Sequence, residues 1–159
     1  MSSQPSIRQL RADDAEACDA IVASLPYHFG DEQGREMCAQ AVRTSDGYVA
    51  EQAGTVAAFL TLRSWFDRSV EITWMAVHAD RRRGGVGGRL LEHAAASAGA
   101  GVRFLVVTTL SEATPEPDVE DSYAGTRAFW AGHGFEPVWE PEGWWNERNQ
   151  AVLMVRVLR

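Results

Sequence analysis

The chain has 159 residues, 45% of them hydrophobic and 23% charged, a size and balance that fit one folded domain with its own core. Its formal net charge of −7 disfavours general nucleic-acid binding, which rests on neutralising phosphates, and favours a neutral or cationic ligand. All 15 basic residues are arginine, so neither a Schiff-base lysine nor a Walker-type lysine is available. No run approaches the ~18 consecutive apolar residues of a membrane-spanning helix. Met1 to Ser6 is polar and lacks the charged-then-apolar pattern of an export signal. The expectation is a cytoplasmic protein with no membrane partner. Cys18 and Cys38 have neither CxxC spacing nor nearby histidines; they read as small buried hydrophobes, and no metal is expected.

In chain order, Ser6 to Arg11 reads as a first strand. Asp13 or Asp14 caps a helix with Ala17, Ala20, Ile21 and Ala23 at helical spacing, stopped by Pro26. An aromatic loop, Leu25 to Gly30, follows. Asp31 caps a second helix to about Val42. Tyr48 to Glu51 and Thr55 to Arg63 form an antiparallel hairpin around Gln52-Ala53-Gly54. Trp65 to Arg68 reads as a connection and Ser69 to His78 as a strand.

A basic, glycine-dense turn then opens directly into a helix with Leu90, Leu91, Ala94, Ala95 and Ala98 on one face, ended by Gly99 and Gly101. Arg103 to Leu110 is a continuous apolar strand. Ser111 to Asp121 is an acidic, proline-bearing loop, and Ser122 to His133 a helix. Gly134 ends that helix and a strand starts at Phe135. Pro141 to Asn149 is a tryptophan-rich loop and Ala151 to Leu158 a last strand. No internal repeat and no linker interrupts this order, which predicts a single α+β domain over 1–159.

The turn Arg81-Arg82-Arg83-Gly84-Gly85-Val86-Gly87-Gly88 carries the chemistry. The first N–H groups of a helix lack intrahelical partners and stand in the positive end of its dipole. Glycines let an oxyanion approach those donors, and arginines add charge, so the turn suits a phosphate or diphosphate. A P-loop would need a Gly-Lys pair, which is absent. A dinucleotide fingerprint fits Gly85 and Gly87 but meets Leu90 at its third position, and Val106, Val107 and Thr108 supply no acid after the helix.

The third candidate is the acetyl-CoA-dependent N-acetyltransferase (GNAT) superfamily. Its diphosphate motif, Gln/Arg-x-x-Gly-x-Gly/Ala, resembles Arg82-Arg83-Gly84-Gly85-Val86-Gly87 at every specified position. A second motif, an aromatic pair followed after three residues by Gly-Phe, resembles Phe129-Trp130-Ala131-Gly132-His133-Gly134-Phe135. The element order resembles that fold along almost the whole chain. The resemblance implies a mixed, mostly antiparallel sheet, splayed between strands four and five, with about four helices on its faces.

It also implies roles. The backbone of Met75, Ala76 and Val77 would pair with the pantetheine arm of acetyl-CoA, with Thr108 and Thr109 on the splayed strand opposite. The amides of Arg83, Gly84, Gly85, Val86, Gly87 and Gly88 would take the diphosphate, with Arg82 and Arg83 beside it. Glu71 resembles the general base of the histone-acetylating branch; alternation puts it on one face with Thr73, Met75 and Val77. The second aromatic of the pair is usually a tyrosine facing the CoA sulfur, whereas this chain has Trp130, which the resemblance implies as a cofactor contact but whose indole is no useful acid. Tyr123, ~10 Å earlier along the same helix, is open to three readings: a cofactor contact, a core aromatic, or the acid that protonates the thiolate.

The acceptor pocket implied by the resemblance draws on Tyr27, His28 and Phe29, on Trp65-Phe66-Asp67, and on Trp139 to Asn146 with Trp144 among them; aromatics there suit an apolar or cationic group. The expected activity is acetyl transfer to the amine of a small molecule, by direct attack on the thioester. The alternative is a catalytically silent CoA-binding module. A homodimer is expected from the apolar last strand.

Overall fold

A computed structural model describes residues 3–114 and 123–159. Most of the expected acidic loop, and Ser122 at the expected start of the following helix, fall outside the described residues. Among those described, seven strands and four α-helices give the expected mixed α+β architecture. They group into two compact units.

The first unit comprises Met1–Arg63 and Ile72–Gly99. It is built on β1 (Ser6–Gln9), β2 (Asp46–Gln52), β3 (Thr55–Phe66) and β4 (Ser69–Val77), side by side in that order. β1 and β2 run antiparallel, as do β2 and β3. The β2–β3 turn places Ala53 (φ 53°) and Gly54 (φ 76°) in the left-handed region, the conformation a two-residue hairpin requires.

Helices α1 (Ala15–Ala23), α2 (Glu32–Thr44) and α3 (Val86–Ser97) complete this unit. Asp31 starts α2 as expected: its carboxylate accepts the Gly34 N–H at 2.8 Å. Cys18, Ile21 and Val22 of α1 and Cys38 and Val42 of α2 recur at helical spacing. They pack with Val49, Phe59 and Ala76 into one core, with Phe29 and Trp74 at its edge. Full burial of a side chain such as Ile21 or Phe59 contributes about 1.5–3 kcal/mol.

Two local expectations need correction. Asp14 occupies the N-cap position of α1, but its carboxylate makes no capping bond to that helix. A short 3-10 turn, Ala12–Asp14, comes first, and the Asp14 carboxylate accepts from Arg11 N at 2.8 Å and from both terminal nitrogens of Arg8. Trp65 and Phe66 do not form a connection either. β3 continues through Phe66, and only Asp67-Arg68 make the turn. Backbone pairing across a tight turn proceeds whether or not the side chains are buried, so exposed aromatics did not mark a strand's end.

The second unit comprises Ser64–Glu71, which is the tip of the β3–β4 hairpin, and Ala100–Arg159. Its strands are β5 (Phe104–Leu110), β6 (Glu136–Trp139) and β7 (Ala151–Val157), with β7 between the other two and antiparallel to both. The Arg68 carbonyl at the hairpin tip accepts the N–H groups of Arg103 (2.9 Å) and Phe104 (3.0 Å), mooring the turn to the start of β5. Helix α4 (Ala124–Gly132) ends at Gly134, which takes φ 87°.

Candidate functional site

The glycine turn is fixed at both ends. Where β4 ends, the His78 N–H donates to Ala57 O at 2.8 Å and the Ala79 N–H donates to Ser24 Oγ at 3.1 Å. Two residues of the turn then adopt left-handed backbone, Arg83 at φ 67° and Gly85 at φ 78°. A left-handed arginine is uncommon, and such strain concentrates where backbone geometry serves a ligand.

Gly85 is the N-cap of α3, and among the described residues no side chain caps that helix. The Arg89 N–H returns to Gly85 O at 3.1 Å, so the N–H groups of Val86, Gly87 and Gly88 precede the first intrahelical bond. Gly84 and Gly85 are exposed while Val86 and Gly87 are buried, which holds the helix mouth against the unit and leaves its approach open. A Cβ on Gly85 would meet nothing within 4 Å. Arg81 is held by Gln52 at 3.3 Å, whereas the neighbouring Arg82, Arg83 and Arg89 are exposed.

On β4, Ala76 is buried in the first unit's core, and Met75 and Val77 lie on the opposite, half-buried face. On β5, Thr108 is half-buried and Thr109 buried.

Glu71 and Trp65, which the sequence reading gave separate roles, are brought together. The Trp65 indole Nε1–H donates to Glu71 Oε2 at 2.6 Å. A six-residue separation spanning a two-residue turn was the available signal for this pair.

Tyr123 immediately precedes α4, and its carbonyl accepts the Arg127 N–H at 2.9 Å. Burial pushes its phenol above the ordinary tyrosine value, so it stays protonated at neutral pH. Trp130 is buried and packs edge-on against Phe129 and Phe135, both with centroids 5.1 Å away. Its ring is held in the second unit's packing.

Of the acceptor candidates, Tyr27 is 86% exposed, whereas Phe29 stacks 6.1 Å from Trp74 at the first unit's core. The N–H groups of His28 and Phe29 both fold back onto Leu25 O. Trp144 lies 5.5 Å from Trp139, the exposed residue at which the expected acceptor segment begins. Among the described residues there is no cluster of His, Cys, Asp or Glu able to hold a metal, and no helix long and apolar enough to cross a membrane.

The profile of the acetyltransferase (GNAT) domain matches residues 43–137, more than half of the chain. The chain therefore belongs to the GNAT acetyltransferase family and is an acyltransferase.

Solved structures agree in fold. An acetyltransferase of the GNAT family from Desulfovibrio desulfuricans superposes with a TM-score of 0.81 at 16% identity, over 98% of this chain and 99% of that one. The ribosomal-protein-S18-alanine N-acetyltransferase from Escherichia coli gives 0.75 at 21% identity, over 97% and 94%. A GNAT family acetyltransferase from Elizabethkingia anophelis with acetyl-CoA bound gives 0.68 at 19% identity, over 98% and 99%. No functionally curated sequence matches the chain.

Proposed function

We propose that this protein is a cytoplasmic enzyme that moves an acetyl group from acetyl-CoA to the amine of a small molecule. The observation that carries the reading is the mouth of α3. Gly85 stands there in the left-handed region with no side-chain cap, and the free amides open beside exposed arginines. Such an assembly fits a diphosphate, and a Cβ at Gly85 would project into open space, so the backbone can be approached closely.

Arg83 to Gly88 would hold the diphosphate through main-chain N–H groups. The backbone of Met75, Ala76 and Val77 would hold the pantetheine arm. Acetyl-CoA supplies an activated thioester carbonyl. Glu71 would accept the proton that the amine loses as it bonds to that carbon, and the thiolate departs as the tetrahedral adduct collapses. Tyr123 would serve as a cofactor contact or as the donor to that thiolate, and burial of its phenol weakens it in the second role. Trp130 lacks that chemistry. The chain's net negative charge and its exposed aromatic rings favour a cationic amine over an acidic acceptor.

The deciding experiment is thiol release from acetyl-CoA across a panel of small amines and peptide N-termini. Turnover on small amines is expected. Tight acetyl-CoA binding with no turnover on any acceptor would replace the reading with a silent CoA-binding module.

A further inference from the structure

We propose that Trp65 is a positioning residue that fixes the carboxylate of Glu71 through its indole N–H. The inference rests on the reading of Glu71 as base. The contact is charge-assisted and short, with Nε1 2.6 Å from Oε2. A glutamate side chain gives up rotamer freedom when its carboxylate is held by a hydrogen bond. The indole narrows that freedom by holding one carboxylate oxygen, Oε2, beside the hairpin tip. Indole N–H does not ionise at working pH, so Trp65 itself moves no proton.

The hairpin that carries the pair is tethered at its tip. Both residues lie on strands that meet at Asp67-Arg68, and the Arg68 carbonyl is held by two amides at the start of β5. Trp65 is nevertheless 54% exposed, far more than packing alone would leave a tryptophan, so its ring is not spent on the core. An exposed tryptophan with its one polar atom committed to a neighbouring carboxylate is placed for orientation rather than stability.

A double-mutant cycle reads this directly. Trp65→Phe keeps the ring and loses the donor. It is expected to lower kcat about tenfold, a fraction of what a general base contributes. The KM for acetyl-CoA and the thermal midpoint should stay unchanged. In a Glu71→Gln background the same Trp65→Phe change should alter kcat less than about twofold, because its effect travels through the carboxylate. An equal loss in both backgrounds would mean that Trp65 acts on the acceptor by itself, and the proposal falls. It falls likewise if Trp65→Phe leaves kcat untouched. Full turnover by Glu71→Gln alone would instead remove the base, and the positioning role with it. The two failures are thus told apart by the single variants.

Discussion

A Cβ placed on Gly47 of β2 would lie 2.1 Å from the carbonyl oxygen of Leu60 on β3. No rotamer relieves such a contact, because the Cβ position is set by the backbone and the oxygen belongs to it. The registers on either side hold it in place: Tyr48 pairs with Leu60, and the Leu10 N–H donates to Gly47 O at 2.9 Å. Gly47→Ala should therefore part β2 from β3 locally. The expected cost is at least about 3 kcal/mol, the upper end for overpacking. Urea denaturation measures it, and a midpoint equal to wild type would contradict the register described.

Arg8 and Asp14 predict an acid-sensitive contribution. Two Arg8 nitrogens reach the two Asp14 oxygens at 2.7 and 2.8 Å, and Glu51 shares the same guanidinium. The Arg8 hydrogen bonds hold the Asp14 carboxyl below its ordinary range, although burial opposes them. The folded state thus favours the ionised form more than the unfolded chain does. Its contribution is complete above the unfolded carboxylate value and is lost as pH falls through the folded one. Asp14→Asn should cost about 1–3 kcal/mol at pH 7. That gap should narrow below about pH 4. Stability curves at both pH values decide it; a gap that stayed constant on acidification would speak against the ion pair.

The two thiols should be silent in the native protein. Cys18 and Cys38 are fully buried, and burial pushes both thiols up to about 12. The thiolate is the reactive form, and at pH 8 it is scarce in a group so shifted. Ellman's reagent should report no reactive thiol before denaturation and both afterwards. Rapid native labelling of either cysteine would place it outside the core of α1 and α2.

The hairpin turn offers a stabilising change. Ala53 bears a Cβ in the left-handed region, a conformation asparagine tolerates better and one favoured before glycine in a two-residue turn. Ala53→Asn should add up to about 1 kcal/mol. It should raise the thermal midpoint by ~2–4 °C. A lower midpoint would show that the turn is held by something other than local preference.

The sequence carried its local signals well. Asp31 is followed by a helix it caps, and Ala53-Gly54 sits where a turn was expected, because both are decided by a few adjacent residues. Asp14 was misread because a capping carboxylate and an ion-paired one look alike until β1 brings Arg8 alongside. The end of β3 was missed because that strand shows no simple alternation: it is buried on both faces near Phe59 and exposed on both near Phe66. The glycine turn was legible as a motif, whereas the left-handed Arg83 was not, since nothing in an arginine announces that backbone. The Trp65–Glu71 contact needed side-chain directions that spacing alone leaves open.

The mooring of Arg68 has an evolutionary corollary. Under the proposed mechanism, a carboxylate carried on a tethered ribbon is insulated from changes in the surrounding loops, so acceptor preference would drift through residues such as Tyr27 or Trp144 while Glu71 keeps its place. Such a scaffold separates what is recognised from how it is transformed, and lets selection retune the first without rebuilding the second.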